Sequence, residues 1–185
     1  CDLTGMELSN ASWLDEGTSA AEAMTMLFSN RSRDKVNGNC SKFFVSDDIF
    51  DQTFDVLVTR AEPLGIEIVK KNIEKISVDQ SFFGCYVQYT GKYGKIHNLK
   101  TISEILNSHN IKLIVAADLL SLCILEKPSL FNCDVVVGTS QRFGIPLGYG
   151  GPHAGYFATK KEYKRSIPGR IIGVSKDRNG NRALR

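Results

Sequence analysis

The chain has 185 residues, 42% hydrophobic and 23% charged, a composition near the soluble globular average that excludes intrinsic disorder. Sixteen glycines and five prolines exclude collagen-like and low-complexity classes, and the length suits one domain or a large part of one. Twenty-three basic against 20 acidic side chains leave a net charge of +3; the basic residues are scattered apart from a cluster at 160–170, which argues against a nucleic-acid-binding stripe.

Residues 15–29 read as a helix: Leu14, Met24, Leu27 and Phe28 can share a face, Ala20, Ala21 and Ala23 add propensity, and Ser19 with Glu22 offers a capping box. A polar loop follows over 30–41. Residues 42–46 form a short buried-strand candidate, and 50–64 carry apolar residues at a helical period through Phe50, Phe54, Leu57, Val58 and Ala61, ended by Gly65. Strands are predicted at 66–69 and 83–89, with an amphipathic helix at 99–109 through Leu99, Ile102, Ile105 and Leu106.

The runs at 111–117 and 133–138 are rich in β-branched residues and belong at the sheet centre. A glycine-bearing loop spans 139–152, and a last strand falls at 154–159. Strands alternating with helices define an α/β fold with a mostly parallel sheet flanked by helices. The longest apolar run, 111–125, is interrupted by Lys112, Asp118 and Ser121, so it falls short of the roughly 20 apolar residues a membrane span needs.

Five cysteines, Cys1, Cys40, Cys85, Cys123 and Cys133, show no C-x-x-C spacing. They read as reduced thiols of a reducing compartment, with Cys85, Cys123 and Cys133 expected in the core. His97, His109 and His153 lie far apart and outside any H-E-x-x-H motif, and Ser140 lies in no G-x-S-x-G elbow. The stretch at 144–151 is neither a P-loop nor a dinucleotide fingerprint.

Ligands in open α/β sheets bind outside the carboxyl ends of the strands, which directs attention to 46–48, 89–91, Asp118 and 139–143. Asp118 ends a buried strand, where a carboxylate either holds a protonated heterocyclic nitrogen or caps the turn through 119–122. Gly17, Thr18 and Ser19 open a helix whose free N–H groups suit a phosphate. Against this, Asp15 and Glu16 face the same end, and each carboxylate roughly 6 Å from a phosphate charge repels it by about 3 kcal/mol at an effective dielectric near 20.

Three stretches carry a resemblance together: Asn10-Ala-Ser-Trp-Leu-Asp-Glu-Gly-Thr-Ser-Ala-Ala-Glu-Ala-Met24, Gly138-Thr-Ser-Gln-Arg-Phe-Gly-Ile-Pro-Leu-Gly-Tyr-Gly-Gly-Pro-His-Ala154 and Pro168-Gly-Arg-Ile-Ile-Gly-Val-Ser-Lys-Asp177, with Ala117-Asp118 between them. They resemble the glycine decarboxylase family, the P-proteins of the glycine cleavage system, nearly end to end, and specifically the amino-terminal half or first subunit. The resemblance implies the large domain of a fold-type-I pyridoxal phosphate (PLP) enzyme. It also implies that residues 1–185 are a fragment of that domain, truncated at both ends, which alone exposes apolar surface and aggregates.

In that family the second half holds the cofactor-binding lysine, two residues before a Phe and ahead of an Ile-Pro and a glycine-rich run. Phe143, Ile145, Pro146 and the 148–151 loop match that frame, and the lysine position is Gln141. An amide nitrogen is not basic and cannot condense with an aldehyde. The resemblance therefore implies a degenerate pseudo-site of Gly17, Thr18, Ser19, Asp118 and Gln141, with no catalytic residue and no metal. Many relatives carry His-Pro before Gln-Thr; here Phe50 and Asp51 precede Gln52 and Thr53, so the aromatic remains and the imidazole is gone.

The expected role is support of a partner, the lysine-bearing half, in a reaction that decarboxylates glycine and passes the aminomethyl group to the lipoyl H-protein. PLP is expected on that other half. The implied location is the bacterial cytoplasm, or the mitochondrial matrix of a eukaryote, with neither nucleic acid nor membrane as partner. His153 and the 148–151 loop are candidates for the pairing surface. The rival expectations are an independent PLP enzyme using Lys160 or Lys161, and a ligand-free interaction module.

Overall fold

A computed structural model describes residues 1–184. In chain order the elements are β1 (Leu8–Ser9), α1 (Glu16–Ser29), α2 (Arg33–Asn37), β2 (Lys42–Ser46), α3 (Asp51–Ala61), β3 (Glu67–Lys71), β4 (Phe82–Tyr89), α4 (Leu99–Ser108), β5 (Lys112–Ala117), β6 (Val135–Thr139), β7 (Gly155–Thr159), β8 (Val174–Lys176) and β9 (Arg182–Leu184). The first seven strands form one sheet in the order β3-β2-β4-β5-β6-β7-β1. Neighbours from β3 to β6 are parallel, and β7 runs antiparallel to both β6 and β1. A separate hairpin pairs β8 with β9.

Alternation along the strands divides the core in two. Phe43, Val45, Phe83, Ile114, Ala116, Val135 and Val137 face α1 and α3. Phe44, Cys85, Val87, Leu113, Val115, Ala117 and Val136 face α4 through Leu99, Ile102 and Leu106. Both faces of β4 and β5 are thus covered, which is why these strands read as continuous apolar runs rather than as alternating ones.

The structure corrects several expectations. The capping box does not form: Asp15 is the N-cap of α1, its Oδ1 accepting from Thr18 N at 2.7 Å, while Glu22 lies within the helix and pairs with Arg60. Leu14 precedes that cap and points to solvent, 74% exposed. The predicted loop at 30–41 contains α2, capped by Ser32; five residues are too few to show a hydrophobic period. Cys123 ends a short 3₁₀ turn whose inward residue is Leu122, so Cys123 is exposed while Cys40, Cys85 and Cys133 are buried. Burial pushes the Cys133 thiol up to about 12, which leaves it a poor nucleophile.

The segment preceding α1 is stitched to β7. Trp13 and Gly155 exchange backbone hydrogen bonds at 2.7 and 2.8 Å, and Asn10 Oδ1 accepts from Phe157 N at 3.1 Å. A Cβ on Gly155 would collide with the Asp15 carbonyl and stand 2.7 Å from the Ser19 hydroxyl. Gly155→Ala is therefore expected to destabilise the parent protein by roughly 2 kcal/mol, since backbone on both sides must give way. Urea unfolding measures it, and a loss below a few tenths of a kcal/mol contradicts so close an approach.

Candidate functional site

The site is assembled where the carboxyl ends of β5 and β6 meet the start of α1. The cap fixes α1 firmly. Besides the Thr18 contact, the Asp15 carbonyl accepts from Ser19 N at 3.1 Å and from the Ser19 hydroxyl at 2.9 Å. Thr18 N–H and the Ser19 hydroxyl are thereby committed within the helix end. Gly17 is buried against Val56, whose methyl lies 3.2 Å from where a Cβ would stand.

Glu16 turns inward to the sheet. Its Oε1 accepts from Gln88 Nε2 at 3.3 Å, Gln88 being a buried amide near the carboxyl end of β4. Burial pushes the Glu16 carboxyl up to about 6; the Gln88 hydrogen bond opposes this, and the negative charges of Asp118 and Asp15 add to it. Two further buried polar atoms adjoin this group of residues: Gln88 Oε1 and the Tyr86 hydroxyl have no hydrogen-bond partner among the described residues. The Gln88 amide was the legible signal, a polar residue inside an otherwise apolar strand, but its partner lies 72 positions away.

Asp118 follows β5 directly. Its Oδ1 accepts from Leu120 N at 3.0 Å and its Oδ2 is ion-paired with Arg142. The backbone behaviour is that of a turn cap, and the second oxygen is taken by a guanidinium that the sequence reading did not single out. Gln141 stands beside Arg142, yet its side chain turns to its own loop, Nε2 donating to the Gly150 carbonyl at 2.6 Å. The amide thus tethers the start of the glycine-rich loop to its far end.

An open cavity of about 370 Å³ lies over the start of α1, lined by Asp15, Glu16, Gly17, Phe50, Thr139 and His153 among others. Gly17 of the expected residues is at its wall, with the Phe50 aromatic and His153; Asp118 and Gln141 are not among its lining residues, and no lysine is. At the neighbouring strand ends Asp48 is buried, with its Oδ2 3.0 Å from His97 Nε2, and a Cβ on Gly91 would overlap its carboxylate. That pair fastens the end of β2 to the loop after β4. No group of His, Cys, Asp and Glu arranged to hold a metal occurs among the described residues, and none of their helices is long and apolar enough to cross a membrane.

The strand order defines the class first: solved structures with this fold are PLP-dependent enzymes of fold type I. A glycine decarboxylase (P-protein) structure in inhibitor-bound form superposes with a TM-score of 0.86 at 29% identity, covering 99% of this chain and 41% of that one. A Campylobacter jejuni protein carrying N'-pyridoxyl-lysine-5'-monophosphate gives a TM-score of 0.69 at 16% identity over 91% of this chain and 40% of that one, a likeness of fold alone. The family model described as glycine cleavage system P-protein matches residues 1–185, and the chain belongs to that family.

Among curated relatives, the glycine dehydrogenase (decarboxylating) of Flavobacterium johnsoniae is 57% identical over 184 residues, and that of Escherichia coli O157:H7 is 48% identical over the same number. The chain spans 19% of the length of each.

The raised Glu16 pKa has a signed consequence. The folded value, about 6, lies above the ordinary 4.5, so folding favours the protonated acid; the associated stability is complete below pH 4.5 and is lost as pH rises through 6, on the order of 2 kcal/mol in all. Glu16→Gln mimics the protonated form. Urea unfolding of the parent protein is expected to show the variant gaining about 2 kcal/mol on the wild type between pH 4.5 and pH 7, and a difference independent of pH contradicts the assignment.

Proposed function

We propose that this chain is part of the large PLP-transferase-like domain in the non-lysine half of a glycine dehydrogenase (decarboxylating), and that it supports the active site of a lysine-bearing partner half. In this reading the parent enzyme decarboxylates glycine and passes the aminomethyl group to the lipoyl H-protein. It works in the bacterial cytoplasm, or in the mitochondrial matrix if the source is eukaryotic. PLP supplies an electron sink on the partner half, and Gly17, Thr18, Ser19, Asp118 and Gln141 are what remains of a second site.

The observation that carries the reading is Gln141: at the position matching the family lysine stands an amide, and its nitrogen is engaged by Gly150 at 2.6 Å. The residues present do not fit PLP. No amine lines the cavity, the Asp118 oxygens are matched to Leu120 N–H and Arg142, and two acidic residues, Asp15 and Glu16, line the cavity at the helix start where an anion would be attracted. No chemical step is therefore assigned to this chain. Its contribution is positioning: the loop held by Gln141 presents Leu147 and Tyr149, both strongly exposed apolar side chains, beside His153, a surface suited to pairing with the other half.

The rival Lys160 stands elsewhere. Lys160 Nζ lies 3.0 Å from Asn132 Oδ1 and 3.3 Å from Asp134 Oδ1, at the amino end of β6. The five-residue ladder of β6 separates it from Gly17 by on the order of 13 Å.

Borohydride reduction of the full-length holoenzyme, followed by peptide mapping, tests this. The reduced pyridoxyl label is expected on a lysine outside residues 1–185. A stoichiometric label on Lys160, or on any lysine of this chain, overturns the proposal.

A further inference from the structure

The opposite edge of the sheet, at the amino ends of the parallel strands, carries a basic cluster remote from the start of α1. A cavity of about 230 Å³ is lined there by Arg31, Ser32, Lys35, Lys112 and Tyr163, with Phe83 at its wall and no carboxylate among its lining residues. The volume lies below the roughly 300 Å³ at which drug-sized ligand sites begin.

Arg31 is held rigidly. Its guanidinium lies 3.4 Å from the Phe28 ring centroid, Nε donates to the Phe28 carbonyl at 2.7 Å, and one terminal nitrogen donates to the Cys40 carbonyl at 2.6 Å. Lys35 is 8% exposed, and its Nζ donates to the Phe82 carbonyl at 2.7 Å. Neither cation has a carboxylate partner among the described residues. Burial pulls the Lys35 ammonium down; Cys40 opposes this, and the Lys112 charge adds to it.

Asp134, the acid paired with Lys112, does not neutralise the cluster. Asp134 lies 3.2 Å from Lys112 Nζ and 3.3 Å from Lys160 Nζ, and it also accepts from Leu113 N and the Tyr163 hydroxyl. One negative charge is shared by two lysines, which leaves Arg31 and Lys35 uncompensated. A buried ammonium without a counter-charge is unfavourable, and an anion beside it removes the penalty.

We propose that this cavity binds a small oxyanion of the phosphate class, free or as the head of a phosphomonoester, with Arg31 and Lys35 as its charged ligands. The Ser32 hydroxyl accepts from Lys35 N and keeps its own proton to donate. The fork of Arg31, fixed by two backbone carbonyls and the Phe28 ring, suits an oxyanion better than a lone ammonium would. The site lies a sheet-length from Gly17 and Asp118 and is independent of how many cofactors the parent enzyme holds.

Calorimetric titration of the full-length holoenzyme at constant ionic strength tests this, with inorganic phosphate in one arm and phenyl phosphate in the other. Saturable binding is expected, weakened about tenfold or more by Lys35→Met, since a charged hydrogen bond is lost, and unchanged by Lys100→Met on the exposed face of α4. Should Lys35→Met unfold the protein, Arg31→Gln is expected to weaken binding equally. Binding of inorganic phosphate alone assigns the site to the free ion, and binding of both assigns it to a phosphoryl head. Absence of saturable binding to the wild type, or binding that neither Lys35→Met nor Arg31→Gln weakens, overturns the proposal.

Discussion

The Asp15 cap is the interaction on which the site depends. Its carboxylate and carbonyl together satisfy Thr18 N, Ser19 N and the Ser19 hydroxyl, and the same residue packs against Gly155 of β7. A helix start so occupied has little left for an external anion, although helix N-termini in general attract one. The cap also directs Glu16 inward to Gln88, so a second carboxylate lies behind the first.

The surroundings of the cap differ in charge from the amino ends of the strands. The carboxyl edge gathers Asp15, Glu16 and Asp118, with Arg142 the partner of the last. The amino edge gathers Arg31, Lys35 and Lys112 around a cavity, with Asp134 paired to Lys112 and Lys160. A fold whose PLP-dependent members bind a phosphate-bearing cofactor thus presents here an acidic face at the start of α1 and a basic one at the far end of the strands.

Much of the fold was legible because buried parallel strands leave long β-branched runs and α1, α3 and α4 carry apolar periods. What stayed hidden was short or non-local. β1 has two residues and is fixed by pairing with β7; α2 has five; and the β8–β9 hairpin gave no alternating pattern. At the site, Gln141 carried meaning only through the family resemblance, which marks its position as that of a lysine; its residue type then excludes an amine. Its bond to Gly150, the pairing of Glu16 with Gln88 and the capture of Asp118 by Arg142 depend on distant segments meeting, and local spacing encodes none of them. Asp15 outcompeted the Ser19–Glu22 box because the chain is anchored one residue pair earlier, where Trp13 bonds Gly155.

The central claim is that a P-protein half built this way leaves cofactor chemistry to its partner, through non-covalent exclusion as well as through the missing amine. Counting pyridoxal phosphate released on denaturing the purified full-length holoenzyme tests it most directly. One cofactor for each pair of halves is the predicted result. Two for each pair would contradict it, because a cofactor would then be held without the family lysine at Gln141 and beside the carboxylates of Asp15 and Glu16.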